Sequence, residues 1–396
     1  MSASGAAGPA VRNRLTSIDM LRGLVLVIMA LDHVRDMVTR PLSTDYSAAM
    51  DFTASSGALF FTRWVTNICA PTFVLLAGMS AFLYSAMRQR STGEVSFFLV
   101  SRGVWLVFIE LTAVHFAWAF NLRTLPILQV IWAIGWAMIA LAVLVYLPRA
   151  AIAAVGVIMI AAHNGLDGVQ PPLSEASPAW VILHIPGPVT IGGTPVASVI
   201  YPLIPWIGVM ALGYALGSYF VTPDPARPKR LLQIGGLLTI AFLLLRSMNL
   251  YGEPVAWTPQ QNMTATLISF FSVTKYPPSL QFLLMTLGPA LMLLGWFERF
   301  TGSIAARLIT IGRVSFFYYV VHLYLIHAIA LSIGLWQGYG VRDMAVFFLD
   351  YPENFGISLG GVYIVWIFTV LAMYPACAWF AGIKARHRDW RWLKYL

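Results

Sequence analysis

Asp32, His33, Arg35 and Asp36 fall within five residues, at the end of a stretch from Met20 to Leu31 that carries a single charge, Arg22. A charged side chain at membrane depth costs roughly 2.5–3.5 kcal/mol on insertion scales, so four ionisable groups together need a pairing or functional reason. On a helix, Asp32 and Asp36 lie one turn apart, Arg35 is three residues from Asp32, and His33 is three from Asp36. Those separations place the groups on neighbouring positions. An imidazole whose tautomer is fixed by a carboxylate is the usual way to build a general base. The same spacing also suits an ion-paired plug that holds helices together. Spacing alone leaves both readings open.

The elements that must position these groups follow from composition. Of 396 residues, 59% are hydrophobic and 10% charged, with a mean hydropathy of +0.75. Soluble domains carry about 25% charge. The chain therefore reads as all-α, a polytopic transmembrane helix bundle. Stretches long enough to cross a bilayer fall near 16–38, 65–87, 96–119, 125–147, 149–164, 196–220, 231–249, 277–298, 307–334 and 358–383. Ten spans divide the 25 Lys and Arg residues 18 to seven, with Arg35, Arg40, Arg63, Arg123, Arg246, Lys275 and Arg342 on the poorer side. The positive-inside rule then makes both termini cytoplasmic. It also removes the nucleic-acid reading that a net charge of +9 invites, because the basic residues alternate between loops rather than form one patch. Residues 1–15 read as a cytoplasmic tail, 16–384 as the membrane domain and 385–396 as a basic cytoplasmic tail. The apolar run after Arg12 and Arg14 leads into Asp32–Asp36 rather than a small-residue cleavage site, so an uncleaved first span is expected.

Cys69 and Cys377 each sit in an apolar span, and a disulfide between them is not expected. The loops 39–64, 165–195, 250–276 and 335–357 are too apolar for disordered linkers and are expected to pack as a lid on the outer face. Cys69-Ala-Pro71, Tyr201-Pro-Leu-Ile-Pro-Trp206, Tyr276-Pro-Pro278 and Leu287-Gly-Pro289 mark breaks, which either line a cavity or kink helices for packing. The basic turn Thr222–Arg230 is a candidate hinge between two halves of the bundle.

Glu110, His115, His163, His184, His322 and His327 fall, with His33, in the outer half of the bilayer or beyond it; only His387 is cytoplasmic. Singly, each suits a hydrogen-bonded structural role; together they suggest a polar cavity opening outward. No two of them have the spacing of a metal site on one helix, so no metal is expected. Toward the other face, Asp19 pairs with Arg22. Arg88, Arg90, Arg102, Arg307 and Arg313 make a basic rim there, which suits a phosphate-rich ligand and is equally what positive-inside topology produces.

Ser17-Ile-Asp-Met-Leu-Arg-Gly23 resembles the opening D-x-x-R-G signature of the multi-pass family that includes heparan-α-glucosaminide N-acetyltransferase, and Arg63 to Gly78 resembles its second span. Ala162-His-Asn-Gly-Leu-Asp167, Tyr201 to Gly208 and Lys275-Tyr-Pro-Pro278 are similar to marks of its bacterial branch. A wider similarity is to the acyltransferase-3 family. There an arginine, ten residues and a histidine mark the first span, as Arg22 and His33 do here. Gly312-Arg-Val-Ser315, Tyr318 and His322 resemble a late-helix motif of that group.

The resemblance implies acyl transfer across a bacterial inner (plasma) membrane. Acyl-CoA, acetyl-CoA above all, is the expected co-substrate, held by Arg22, Arg88, Arg102 and Arg313. A glycan or lipid-linked acceptor is expected at the periplasmic face, against His163, Asn164, Asp167, Arg63 and Lys275. Trp180, Trp257 and Trp336 are candidates to stack on a sugar. His33 is the expected base, oriented by Asp36 or Asp32, with Arg35, His322 or Tyr318 contacting the oxyanion. Membrane lipids surround the bundle and a homodimer stays open. Two other classes remain: a secondary transporter of a small polar or anionic solute, for which midplane charges and broken helices are equally natural, and a non-catalytic membrane partner protein.

Overall fold

A computed structural model describes residues 9–39, 56–169, 171, 176–387, 389, 390 and 393, with side chains from Thr16 onward. Arg40, Arg388, Arg391 and Lys394, the side chains of Arg12 and Arg14, and most of the loop after the first span lie outside the described residues.

The chain is an all-α polytopic bundle. Helix α1 (Pro9–Val38) begins within the stretch expected to be a tail. A break at Asn67 and Ile68 divides the next span into α2 (Gly57–Thr66) and α3 (Cys69–Met87). Pro71 falls in the first turn of α3, where its missing N–H costs no hydrogen bond. Helix α4 (Thr92–Ile109) opens on a capping box between Ser91 and Glu94, then passes through a π-helical turn, Glu110–Val114, into α5 (His115–Ala119). The short strand β1 (Ile127–Leu128) precedes α6 (Val130–Leu144), α7 (Arg149–Ala162) and the single-turn α8 (Pro178–Leu183). The hairpin of β2 (Gly187–Ile191) and β3 (Thr194–Val199) pairs with β1 in the order β1-β3-β2, a small sheet between helices. Then come α9 (Leu203–Gly217), α10 (Arg227–Met248), α11 (Met263–Phe271), α12 (Leu280–Phe297), α13 (Ser303–Arg313), α14 (Ser315–Trp336) and α15 (Leu359–Arg386).

Among the described residues, eight helical segments are long and apolar enough to cross a membrane. The other two expected spans correspond to α1, which carries the charge cluster, and to the 15-residue α6. The expected span 307–334 is not one helix. It breaks at Val314 into the amphipathic α13 and the apolar α14.

Small residues set the helix crossings, as expected where lipid is as apolar as the side chains and close backbone packing must hold the bundle. A Cβ on Gly103 would sit 2.5 Å from the Gly135 carbonyl oxygen, and one on Gly135 would sit 2.7 Å from that of Gly103, so α4 and α6 meet backbone to backbone. The tightest approach joins the two signature motifs. A Cβ on Gly23 would lie 2.0 Å from the Leu308 oxygen, and one on Gly312 would lie 1.8 Å from the Asp19 oxygen. Helix α1 is thereby locked against α13, while its other sides pack on α3, α12, α14 and α15.

The basic turn at 222–230 is clamped. Arg227 is buried, donates from Nε and Nη2 to the Glu298 carboxylate at 2.6 and 2.8 Å, and also binds the Tyr219 and Thr222 carbonyls. At the opposite end of α10, Arg246 donates to the carbonyls of Val255, Ser269, Phe270 and Ser272, pinning α11 and its flanking loop to that helix.

Candidate functional site

His33 does not lean on a carboxylate. Its Nδ1 lies 2.8 Å from Nε2 of His322, on α14, and His322 Nδ1 lies 2.8 Å from the Tyr318 carbonyl. A carbonyl only accepts, so His322 Nδ1 carries its proton there. In the neutral ring, Nε2 then accepts, and His33 Nδ1 is the donor. This relay leaves the lone pair of His33 on Nε2, to which no hydrogen bond runs among the described residues. His322 is fully buried and His33 nearly so. Tyr319 and Trp118 stand edge-on to the His33 ring at 6.3 and 5.1 Å.

The two aspartates expected to orient His33 serve Arg35 instead. Arg35 Nη2 is 2.9 Å from Asp32 and also pairs with Asp36. Asp32 accepts from Thr66 Oγ1 at 2.7 Å, and Lys275 Nζ lies 3.7 Å from its other oxygen. Arg63, buried on α2, is within electrostatic reach of Asp32, Arg35 and Asp36. Among the described residues, Arg35, Arg63 and Lys275 thus gather with Asp32 and Asp36 in one charged cluster on the same helix as His33.

At the other end of α1, Arg22 binds Asp19 at 3.1 Å and Ser80 Oγ at 2.8 Å. It borders a cavity of about 380 Å³, a size common for small-molecule sites. Arg22, Arg102, Arg313 and Lys384 supply positive charge to its wall, and Ser315 and Phe316 bring in the N-terminus of α14. Its apolar lining includes Phe73, Ile134 and Met138. Tyr319 also lines it, and that ring lies 5.9 Å from His322. Arg88 borders an adjoining cavity beside Arg22, Ser80 and Tyr84. The four arginines expected to bind cofactor thus gather around one end of α1.

The remaining polar groups do not share one outward cavity with His33. Glu110 accepts from the Gln129 backbone at the start of α6, a capping role. His115 contacts Thr124, and His327 bridges the Ala117 and Met344 carbonyls while stacking on Phe120. His163, Asp167 and His184 form a third group, with ligand-type atoms within 4.8 Å of one another. Asn164 joins it, donating to Asp167 at 2.8 Å and accepting from the Leu280 backbone. Burial holds the His184 imidazole below its usual range, with Asp167 pulling the other way. Trp180 packs on His184 at 5.0 Å, whereas Trp336 is exposed.

Three contributors carried no spacing signal. Trp118 is buried beside His33, with no hydrogen-bond partner for Nε1 among the described residues. Tyr319 links cavity and histidine pair. Ser80 orients Arg22.

The described residues thus place a histidine pair between a basic cavity and a charged cluster in a multi-pass membrane bundle. The family model described as heparan-alpha-glucosaminide N-acetyltransferase, catalytic, matches residues 14–251, well over half of the chain. The chain belongs to that family, one of membrane acetyltransferases. The match includes Arg22, His33 and Arg102 but ends before Arg313 and His322. No curated protein matches the chain.

Proposed function

We propose that the chain transfers an acyl group, acetyl by family, from acyl-CoA bound at the Arg22 end of the bundle to a hydroxyl or amine that reaches His33 from the opposite end. The carrying observation is the cavity that runs from Arg22, Arg102 and Arg313 to Tyr319, whose ring packs edge-on to both His33 and His322. The basic wall and the first turn of α14 suit the phosphates of the donor, since guanidinium groups and helix N-termini both bind phosphate oxygens. The apolar wall suits the acyl-bearing arm.

The chemistry is a direct displacement. The acceptor's oxygen or nitrogen bonds to the thioester carbon as His33 Nε2 takes its proton. The C–S bond breaks, and the CoA thiolate leaves and recovers that proton. His322 holds His33 in the required tautomer and shares the transient positive charge. Trp118 Nε1–H is a spare donor for the oxyanion. With the Arg22 end cytoplasmic, as the positive-inside count favours, the acceptor is a glycan or lipid-linked group in the periplasm of a bacterial inner membrane.

The test uses purified protein in proteoliposomes with [14C]acetyl-CoA and glucosamine as probe acceptor, reading thiol release and labelled product. Wild type releases thiol and labels the amine. His33→Ala reduces both by about 10²–10⁴-fold, the usual contribution of a general base. Uptake of glucosamine without donor, and without thiol release, would show a transporter instead.

A further inference from the structure

His163 ends α7, Asp167 follows one turn later, and His184 closes α8 from a separate segment. We propose that these three side chains bind a divalent metal ion of the zinc type at the His33 end of the bundle, with a water or acceptor group in the fourth position. Neither this ion nor this site is needed for the transfer reading above, and the proposal stands apart from it.

Three observations carry it. The first is geometry. Bonds of about 2.0–2.1 Å at tetrahedral angles place neighbouring ligand atoms roughly 3.3–3.4 Å apart. His184 Nε2 and Asp167 Oδ1 are 3.3 Å apart, and one ligand atom of His163 falls within 4.8 Å of both. The second is an unmet need. His163 is 2% exposed, yet neither of its ring nitrogens has a hydrogen-bond partner among the described residues. Buried polar atoms in native proteins are paired with protein, water or ions, so an orphaned imidazole beside Asp167 and His184 calls for a missing partner. The third is the surrounding shell. Asn164 Nδ2 holds Asp167 Oδ2 at 2.8 Å, leaving Oδ1 for the ion.

Two imidazoles and one carboxylate are the donor set of open zinc sites. Asp167 is the most exposed of the three, with its side chain 19% accessible, so the open position faces the outside. The ion would fasten the His184 segment, which leads into β2, to the end of α7. Through the Asn164–Leu280 hydrogen bond, it would also fasten it to the start of α12.

The experiment uses the full chain, purified without a histidine tag, stripped with a chelator and titrated with Zn(II) against a chromophoric competitor. One zinc per chain is expected, with affinity at least tenfold weaker in His163→Ala and in His184→Ala. Co(II) in place of zinc should give the visible absorption of a four-coordinate site. If the stripped wild type binds no more metal than the His163→Ala/His184→Ala double variant, the site does not exist. Because the wild type supplies the first readout, a misfolded variant cannot rescue the idea. Acetyl transfer is not part of the readout, so failure here leaves the transferase assignment untouched.

Discussion

His33 on α1 and His322 on α14 share a hydrogen bond of 2.8 Å although 289 residues separate them in sequence. Since His322 donates its Nδ1–H to the Tyr318 carbonyl, the direction of the His33 bond is fixed, and His33 Nε2 keeps the lone pair that the proposed base would use. The pair ties the first helix to the fourteenth.

If the two histidines act as one unit, their losses are not additive. His322→Ala should lower kcat by about 10–100-fold with little change in KM for acetyl-CoA. The His33→Ala/His322→Ala double variant should be no slower than His33→Ala alone, within a few-fold. Steady-state kinetics of the three variants, run as a double-mutant cycle, measures this. Fully multiplicative losses would place His322 outside the relay.

Arg22 and Arg102 should act through binding. A charge-assisted hydrogen bond to phosphate is worth about 1.5–3 kcal/mol. Arg22→Ala and Arg102→Ala should therefore each raise KM for acetyl-CoA by about 10–100-fold while kcat changes little. Dephospho-CoA thioesters, lacking one phosphate, should show a smaller penalty in at least one of the two variants.

The glycine contacts make a sharp stability prediction. Gly23→Ala and Gly312→Ala push a methyl into a facing backbone, and overpacking of this kind costs about 1–3 kcal/mol. Gly236, on α10, has open space where its Cβ would fall. Gly236→Ala should be neutral or stabilise by about 0.4–1 kcal/mol. Thermal unfolding in detergent followed by circular dichroism ranks the three. A Gly23→Ala protein as stable as wild type would mean that α1 and α13 are not in backbone contact.

Asp32 should matter more to folding than Asp36. It accepts from Thr66, pairs with Arg35 and sits near Lys275, so its removal leaves buried cations short of a partner. Asp32→Ala should cost about 3–5 kcal/mol, in the range found when one side of a buried pair is deleted. Asp36→Ala should cost less, because Arg35 keeps Asp32. Unfolding in graded SDS, read by tryptophan fluorescence, separates the two.

Much of α1 was legible in the sequence: its charges, its Arg22–His33 spacing and the glycine after Arg22 stand out from an apolar background. The break near Cys69-Ala-Pro71 was legible too, because proline announces it. The break at Val314 was not, since Gly312-Arg-Val-Ser315 interrupts neither the apolar run nor the hydrogen-bonding capacity of the chain. The carboxylate expected beside His33 was a local guess from helix spacing. Arg35 competes for both aspartates more strongly, and the true partner came from the far end of the chain. Trp118 and Tyr319 could not be singled out, because an aromatic in an apolar helix looks the same whether it packs or serves a site. The His163–Asp167–His184 group carried no spacing signal, because the spacing rule looks within one helix and these side chains come from two segments.

The most direct test is thiol release from acetyl-CoA by the purified, reconstituted chain with glucosamine present, comparing wild type with His33→Ala at equal folded protein. Base catalysis by His33 requires a wild-type rate at least 100-fold above the variant. Equal rates in the two proteins would contradict it.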